Sequence, residues 1–138
     1  MPLVTINYLA VLVAAIAAMV IGAVWYSPLL FGKPWMKLMG WSEAKMKEKP
    51  ASAGKAMAGM AVFALVMAYV LAHFVDYTAA TTWAQGVITA FWLWLGFVVT
   101  TISSQSLFEN RPWGLFWISA AYYLVSLAVM AVILVLWV

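Results

Sequence analysis

The sequence predicts an all-α, polytopic membrane protein of four transmembrane helices, with a short interfacial segment after the first. Hydrophobic side chains make up 68% of the 138 residues and charged ones only 8%, whereas soluble globular chains carry roughly 25% charge. Mean hydropathy is +1.05. Four apolar runs lie at about 5–26, 56–75, 83–108 and 113–137. Each has the ~20 residues that cross a hydrocarbon core of about 30 Å at roughly 1.5 Å per residue. Together they take up most of the chain, so residues 1–138 form one domain with no separate soluble module. The absence of cysteine excludes disulfides, thiolate chemistry and cysteine metal sites.

The first run has no Lys or Arg ahead of Lys33, so the positive region of a signal peptide is missing, and the run is too long for one. It reads as a membrane helix. Ala10, Ala14, Ala18 and Gly22 recur at four-residue spacing, a stripe on which another helix can approach closely in lipid. Asn7, in its first turn, is read first as a helix-start cap or interfacial amide and only second as a binding group. The run stops at Tyr26-Ser27-Pro28. Pro28 lacks a backbone donor and pushes Ser27 out of the helical region. Ser-Pro also opens helices, with Ser27 as N-cap and Pro28 as first residue. Gly32-Lys33-Pro34 repeats the break, and Trp35, Met36, Leu38 and Met39 form an apolar patch around Lys37. The chain is therefore expected to leave the hydrocarbon here and turn along the membrane surface.

The loop of about 29–55 holds Lys33, Lys37, Lys45, Lys47, Lys49 and Lys55, six of the seven basic residues. The positive-inside rule makes it cytoplasmic. Glu43 and Lys47 suit a brief surface helix before Pro50. The lysines are spread out and mixed with Glu43 and Glu48, which favours a topology signal over nucleic-acid binding, with anionic headgroups the secondary option.

The second membrane helix, starting after Ser52, shows another small-residue stripe at Ala64, Ala68 and Ala72. It ends with His73 and Asp76, three residues apart and so on one face. Such a histidine ordinarily complements the helix dipole or pairs with the neighbouring acid; the functional alternative is a proton acceptor or ligand group. One His and one Asp do not make a metal site. The connection Tyr77–Thr82 carries no basic residue, as an outer loop should. Thr82-Trp83-Ala84-Gln85 matches a capping box, which gives Gln85 a structural task. The third helix places Gly96, Thr100 and Ser104 on one face. Its Ser and Thr side chains are read as bonding back to carbonyls four residues earlier. Gln105, near the cytoplasmic end, still needs partners for its amide.

Glu109-Asn110-Arg111-Pro112 closes the third helix and opens the fourth, with Pro112 suited to its first position. The fourth offers Tyr122, Tyr123 and Ser126 at middle depth. Trp25, Trp35 and Trp113 on one side and Trp83 and Trp137 on the other resemble two aromatic belts. This topology gathers Trp25, Tyr26, Ser27, Lys33, Gln105, Glu109, Asn110 and Arg111 at the cytoplasmic face, where Glu109 should pair with Arg111 or Lys33. That group is either a polar pocket or a lock between the two inner turns. Asn7, His73 and Asp76 form a second candidate cluster on the outer side.

No Asp, Glu, Lys, Arg or His falls near the centre of any span, so the mid-membrane charge on which proton-coupled exporters depend is missing. Nucleophile–base–acid sets, phosphate loops and metal-ligand clusters are absent too. No cofactor is implied. The segment Asn7 to Lys37, above all GAVWYSPLLFGKPW, followed by a lysine-rich loop and LFENRP at Leu107 to Pro112, resembles the bacterial integral-membrane family called domain of unknown function 1761. The resemblance covers essentially the whole chain. It implies a small four-helix membrane protein and brings no activity or catalytic residue.

The expected setting is a bacterial inner membrane with both termini outside. The expected partners are the bilayer, a small ligand or lipid, and further copies of the chain, since small-residue stripes mark three helices; nucleic acid is not expected. Three functions follow: a transport or ligand-binding component, a non-enzymatic scaffold, or, least favoured, a lipid-modifying enzyme using His73 and Asp76.

Overall fold

The computed structural model describes residues 4–40 and 53–137, and all regular structure among them is helical. Five helices follow in order: α1 Tyr8–Trp25, α2 Gly32–Met39, α3 Ala53–Tyr77, α4 Trp83–Phe108 and α5 Trp113–Leu136. All but α2 are long and apolar enough to cross a membrane. The expected fold class is therefore the observed one. Lys45, Lys47, Lys49 and the Glu43–Lys47 pair lie outside the described residues.

The start of α1 is set by Asn7. Its side-chain oxygen accepts from the N–H groups of Leu9 and Ala10, both at 3.1 Å, which satisfies two donors that a helix start leaves open. Its amide also donates to the Trp137 carbonyl at 3.3 Å, tying the start of α1 to the end of α5. The helix thus begins three residues later than the apolar run.

At the other end of α1 the expected Ser27-Pro28 helix start does not form. The Ser27 hydroxyl donates to the Val24 carbonyl at 2.6 Å, so it closes α1 instead of capping a new helix. Residues 26–31 form turns folded onto that end, with the Phe31 N–H donating to the Trp25 carbonyl at 2.9 Å. Only at Gly32 does α2 begin, with Pro34 in its first turn, where the missing donor costs nothing. Gly32 has a steric reason to be glycine. A Cβ there would sit 2.6 Å from the Tyr26 carbonyl oxygen and 2.7 Å from the Ser27 carbonyl carbon. At the α4–α5 turn Pro112 is the N-cap, not the first helical residue.

α5 is the central helix. It packs against α1, α3 and α4, and 50% of its most apolar window is buried against 17% in α3 and in α4. The stripe on α1 is consumed inside the bundle: Ala10, Ala14 and Ala18 are buried, and a Cβ on Gly22 would meet the Tyr122 hydroxyl at 3.0 Å. On α3, Ala68 is buried in the same core, with Ala64 and Ala72 packed against it. On α4 the close approach falls at Gly86, where a Cβ would meet Val135 at 2.9 Å.

The Gly96–Thr100–Ser104 face points away from the bundle: Thr100 and Ser104 are exposed, and nothing lies within 4 Å of a Cβ on Gly96. The hydroxyls of Thr100 and Ser104 donate to the carbonyls four residues back, at 2.8 and 2.9 Å. Between them and the Gly86 contact, Trp94–Val99 winds as a π-helical turn inside α4. α3 and α4 stay apart along much of their length. Grooves of about 340 and 360 Å³ run between them, and near one end the Thr78 and Thr89 hydroxyls hydrogen-bond at 3.2 Å.

Candidate ligand-binding cavity

The polar residues gathered at the Lys33 end divide into separate groups. The Trp25 indole donates to the Ile118 carbonyl at 3.0 Å. Tyr26 hydrogen-bonds Ser119 through its hydroxyl, and its ring meets Tyr122 at a tilt and Trp35 edge-on, at centroid distances of 5.6 and 6.2 Å. Ser27 is spent on α1. Beyond Ser119, Gln105 and Arg111 line a hollow of only about 30 Å³, room for one or two waters. Glu109 and Arg111 form an ion pair at 2.7 Å, each 52% exposed. Asn110 adopts a left-handed φ of 51° and turns the chain from α4 into α5, a conformation Asn tolerates better than most residues. Lys33 is exposed and forms no ion pair among the described residues. The eight residues therefore share one end of the bundle but not one cavity, and Ser119 stands at the division.

At the opposite end, Asn7 and Asp76 line a hollow of about 420 Å³ together with Thr81 and Trp137. His73 does not line it. Its Nδ1–H donates to the Tyr69 carbonyl at 2.9 Å, and its ring meets Tyr69 and Tyr77 edge-on at 4.7 and 6.1 Å. Three-residue spacing brings His73 and Asp76 near each other along α3, but their side chains serve different surroundings. Among the described residues no group of three metal-ligating side chains occurs.

The cavity best suited to a ligand lies elsewhere, between α1, α3 and α5, and measures about 330 Å³. Its wall on α1 is made of Ala18, Met19, Gly22 and Ala23, whose small residues leave the space open. On α3 it is made of Met57, Met60, Phe63, Ala64 and Met67, and on α5 of Tyr122, Tyr123 and Ser126; Tyr26 stands at the Lys33 end. The Tyr122 hydroxyl donates to the Ala18 carbonyl at 3.0 Å, which fixes that ring between α1 and α5. Met57, Met60 and Phe63 are 62%, 50% and 69% exposed, so the cavity opens sideways between α1 and α3. A volume of this order falls within the 300–1,000 Å³ range of ligand pockets, and its lining of apolar and aromatic side chains with a few hydroxyls is typical of them. Of the expected site residues only Tyr26 lines it. The methionines carried a readable signal, since Met57, Met60, Ala64 and Met67 fall on one face of a helix by spacing alone.

The fold and this cavity define a class: a multi-pass helical membrane protein of four spans, wrapped around its last helix. The chain belongs to the family described as protein of unknown function (DUF1761), which matches residues 9–135 and so covers all but the outermost residues of the four spans. No curated protein and no solved structure matches it.

Proposed function

We propose that the protein is a ligand-binding or transport component of a membrane, taking a small lipophilic ligand from the bilayer into the cavity between α1, α3 and α5. The observation that carries this reading is the sideways opening at Met57, Met60 and Phe63, exposed in the first turns of α3 beside α1. The lysine-bearing end faces the cytoplasm of an inner membrane on the positive-inside rule, with both termini outside. Ala64, partly buried on the cavity wall, provides the test. Ala64→Phe fills the space, and mass spectrometry of protein extracted in mild detergent is expected to find a co-purifying lipophile on the parent chain and none on the variant. Identical bound lipids on both would remove the proposal. In proteoliposomes, Tyr26→Phe is expected to alter flux and Glu109→Gln to leave it unchanged, because only Tyr26 lines the cavity.

The scaffold reading has one observation in its favour. Indole and phenol groups of Trp25, Trp94 and Tyr122 tie α5 to α1 and α4 through backbone carbonyls, at 3.0, 2.8 and 3.0 Å. Such locks would serve a scaffold equally well, and their signature is lost stability with no ligand present. The separate surroundings of His73 and Asp76 leave the enzyme reading without support.

A further inference from the structure

We infer that the ligand of the α1–α3–α5 cavity is an uncharged lipophile bearing a hydrogen-bonding oxygen, held at its inner end by the Ser126 hydroxyl. This rests on the reading of that cavity as a binding site and adds the chemistry of the occupant.

Ser126 is 1% exposed, and its Oγ is the one buried side-chain polar atom without a hydrogen bond among the described residues. A hydroxyl left unpaired in apolar surroundings is costly, and native proteins rarely keep one without reason. Four hydroxyls on or next to α3 and α4 avoid that cost. Thr78, Thr89, Thr100 and Ser104 each donate to the carbonyl four residues back, at 2.9, 3.0, 2.8 and 2.9 Å. Ser126 lines the cavity and makes no such bond. Tyr123, three residues earlier on the same face, also lines the cavity, and its hydroxyl has no hydrogen bond among the described residues. The α5 wall therefore carries two hydroxyls without a hydrogen bond among the described residues, that of Ser126 covered just behind the cavity surface and that of Tyr123 half-buried.

The remaining wall selects against charge. Among the described residues it contains no Asp, Glu, Lys, Arg or His, so an ionised headgroup brought inside would find no counter-charge among them. Met19, Met57, Met60 and Met67 supply flexible, polarisable surface that adapts to an irregular chain. Alcohols, esters and quinone-like carbonyls share the required chemistry.

The test uses the full chain, labelled with 13C-methyl methionine and held in phospholipid nanodiscs, titrated with octan-1-ol, octane or octanoate. Octan-1-ol is expected to shift the Met19, Met57, Met60 and Met67 signals saturably. Met130, fully buried in the core and off the cavity wall, should stay still. Ser126→Ala is expected to weaken octan-1-ol by about fivefold, the scale of one hydrogen bond, with octane unaffected and Ser126→Thr retaining the alcohol. Equal octan-1-ol affinity in the parent and Ser126→Ala, or tighter binding of octanoate than of octan-1-ol, would overturn the inference while leaving a cavity that binds apolar guests. No saturable shift with any probe, as when water alone fills the space, would overturn the cavity reading as well. Alanine only removes an unpartnered hydroxyl, so the variant is expected to fold.

Discussion

Gly32 and Trp25 show how single side chains hold the Lys33 end. Gly32→Ala would press a methyl group into the Tyr26–Ser27 backbone, which cannot swing aside as a flexible side chain could. A loss of about 1–3 kcal/mol is expected, of the size that overpacking brings, read as a lowered thermal midpoint in detergent micelles. Trp25→Phe keeps an aromatic ring but deletes the indole bond to Ile118; a smaller loss of about 1 kcal/mol is expected in the same assay. Glu109→Gln should fall below that, within about 1 kcal/mol of the parent, because its ion pair with Arg111 is half exposed. At this scale the sequence was readable wherever a cap uses only neighbouring residues. Asn7 caps α1, and Thr82 with Gln85 closes the capping box expected of them. Ser27 was not readable in this way. The same Ser-Pro pair can open a helix or close one, and the choice falls to the Val24 carbonyl and the turn behind it.

Among the helices, α4 behaves as two halves joined by its π-turn. The half with Gly86 and Ala90 is pressed onto α5, whereas Gly96, Thr100 and Ser104 look outward. Substituting leucine separates the two: Gly86→Leu is expected to disrupt the α4–α5 contact and lower the thermal midpoint sharply, while Gly96→Leu should leave a lone chain's stability unchanged or slightly raised, as helix propensity favours it by up to about 1 kcal/mol. If copies of the chain associate through this face, Gly96→Leu would instead reduce the mass measured in detergent by light scattering. Periodicity revealed all three small-residue stripes, but not their direction. Which face of a membrane helix meets protein and which meets lipid is not encoded in hydropathy, since both surroundings are apolar. The stripes of α1 and α3 turned inward and that of α4 outward only once α5 was placed.

For the molecule as a whole, run length and composition sufficed for the four spans. The candidate sites were harder to read, because they depend on which helices are neighbours. Topology puts Tyr26 and Glu109 at one end of the bundle, yet they belong to different surroundings, and the cavity takes part of its wall from Met57, Met60 and Met67, whose spacing alone does not distinguish a cavity wall from ordinary packing. Orientation is open to a direct test: cysteine introduced at Lys45 is expected to be shielded from impermeant thiol reagents in intact cells and to react after the membrane is opened. The central place of α5 also bears on synthesis. α1 and α3 pack against each other as soon as both have been made, but α4 draws its main partner from a segment translated after it. A nascent chain halted before Trp113 would hold its third span almost unattached in the lipid, an orphan awaiting either its mate or a quality-control protease.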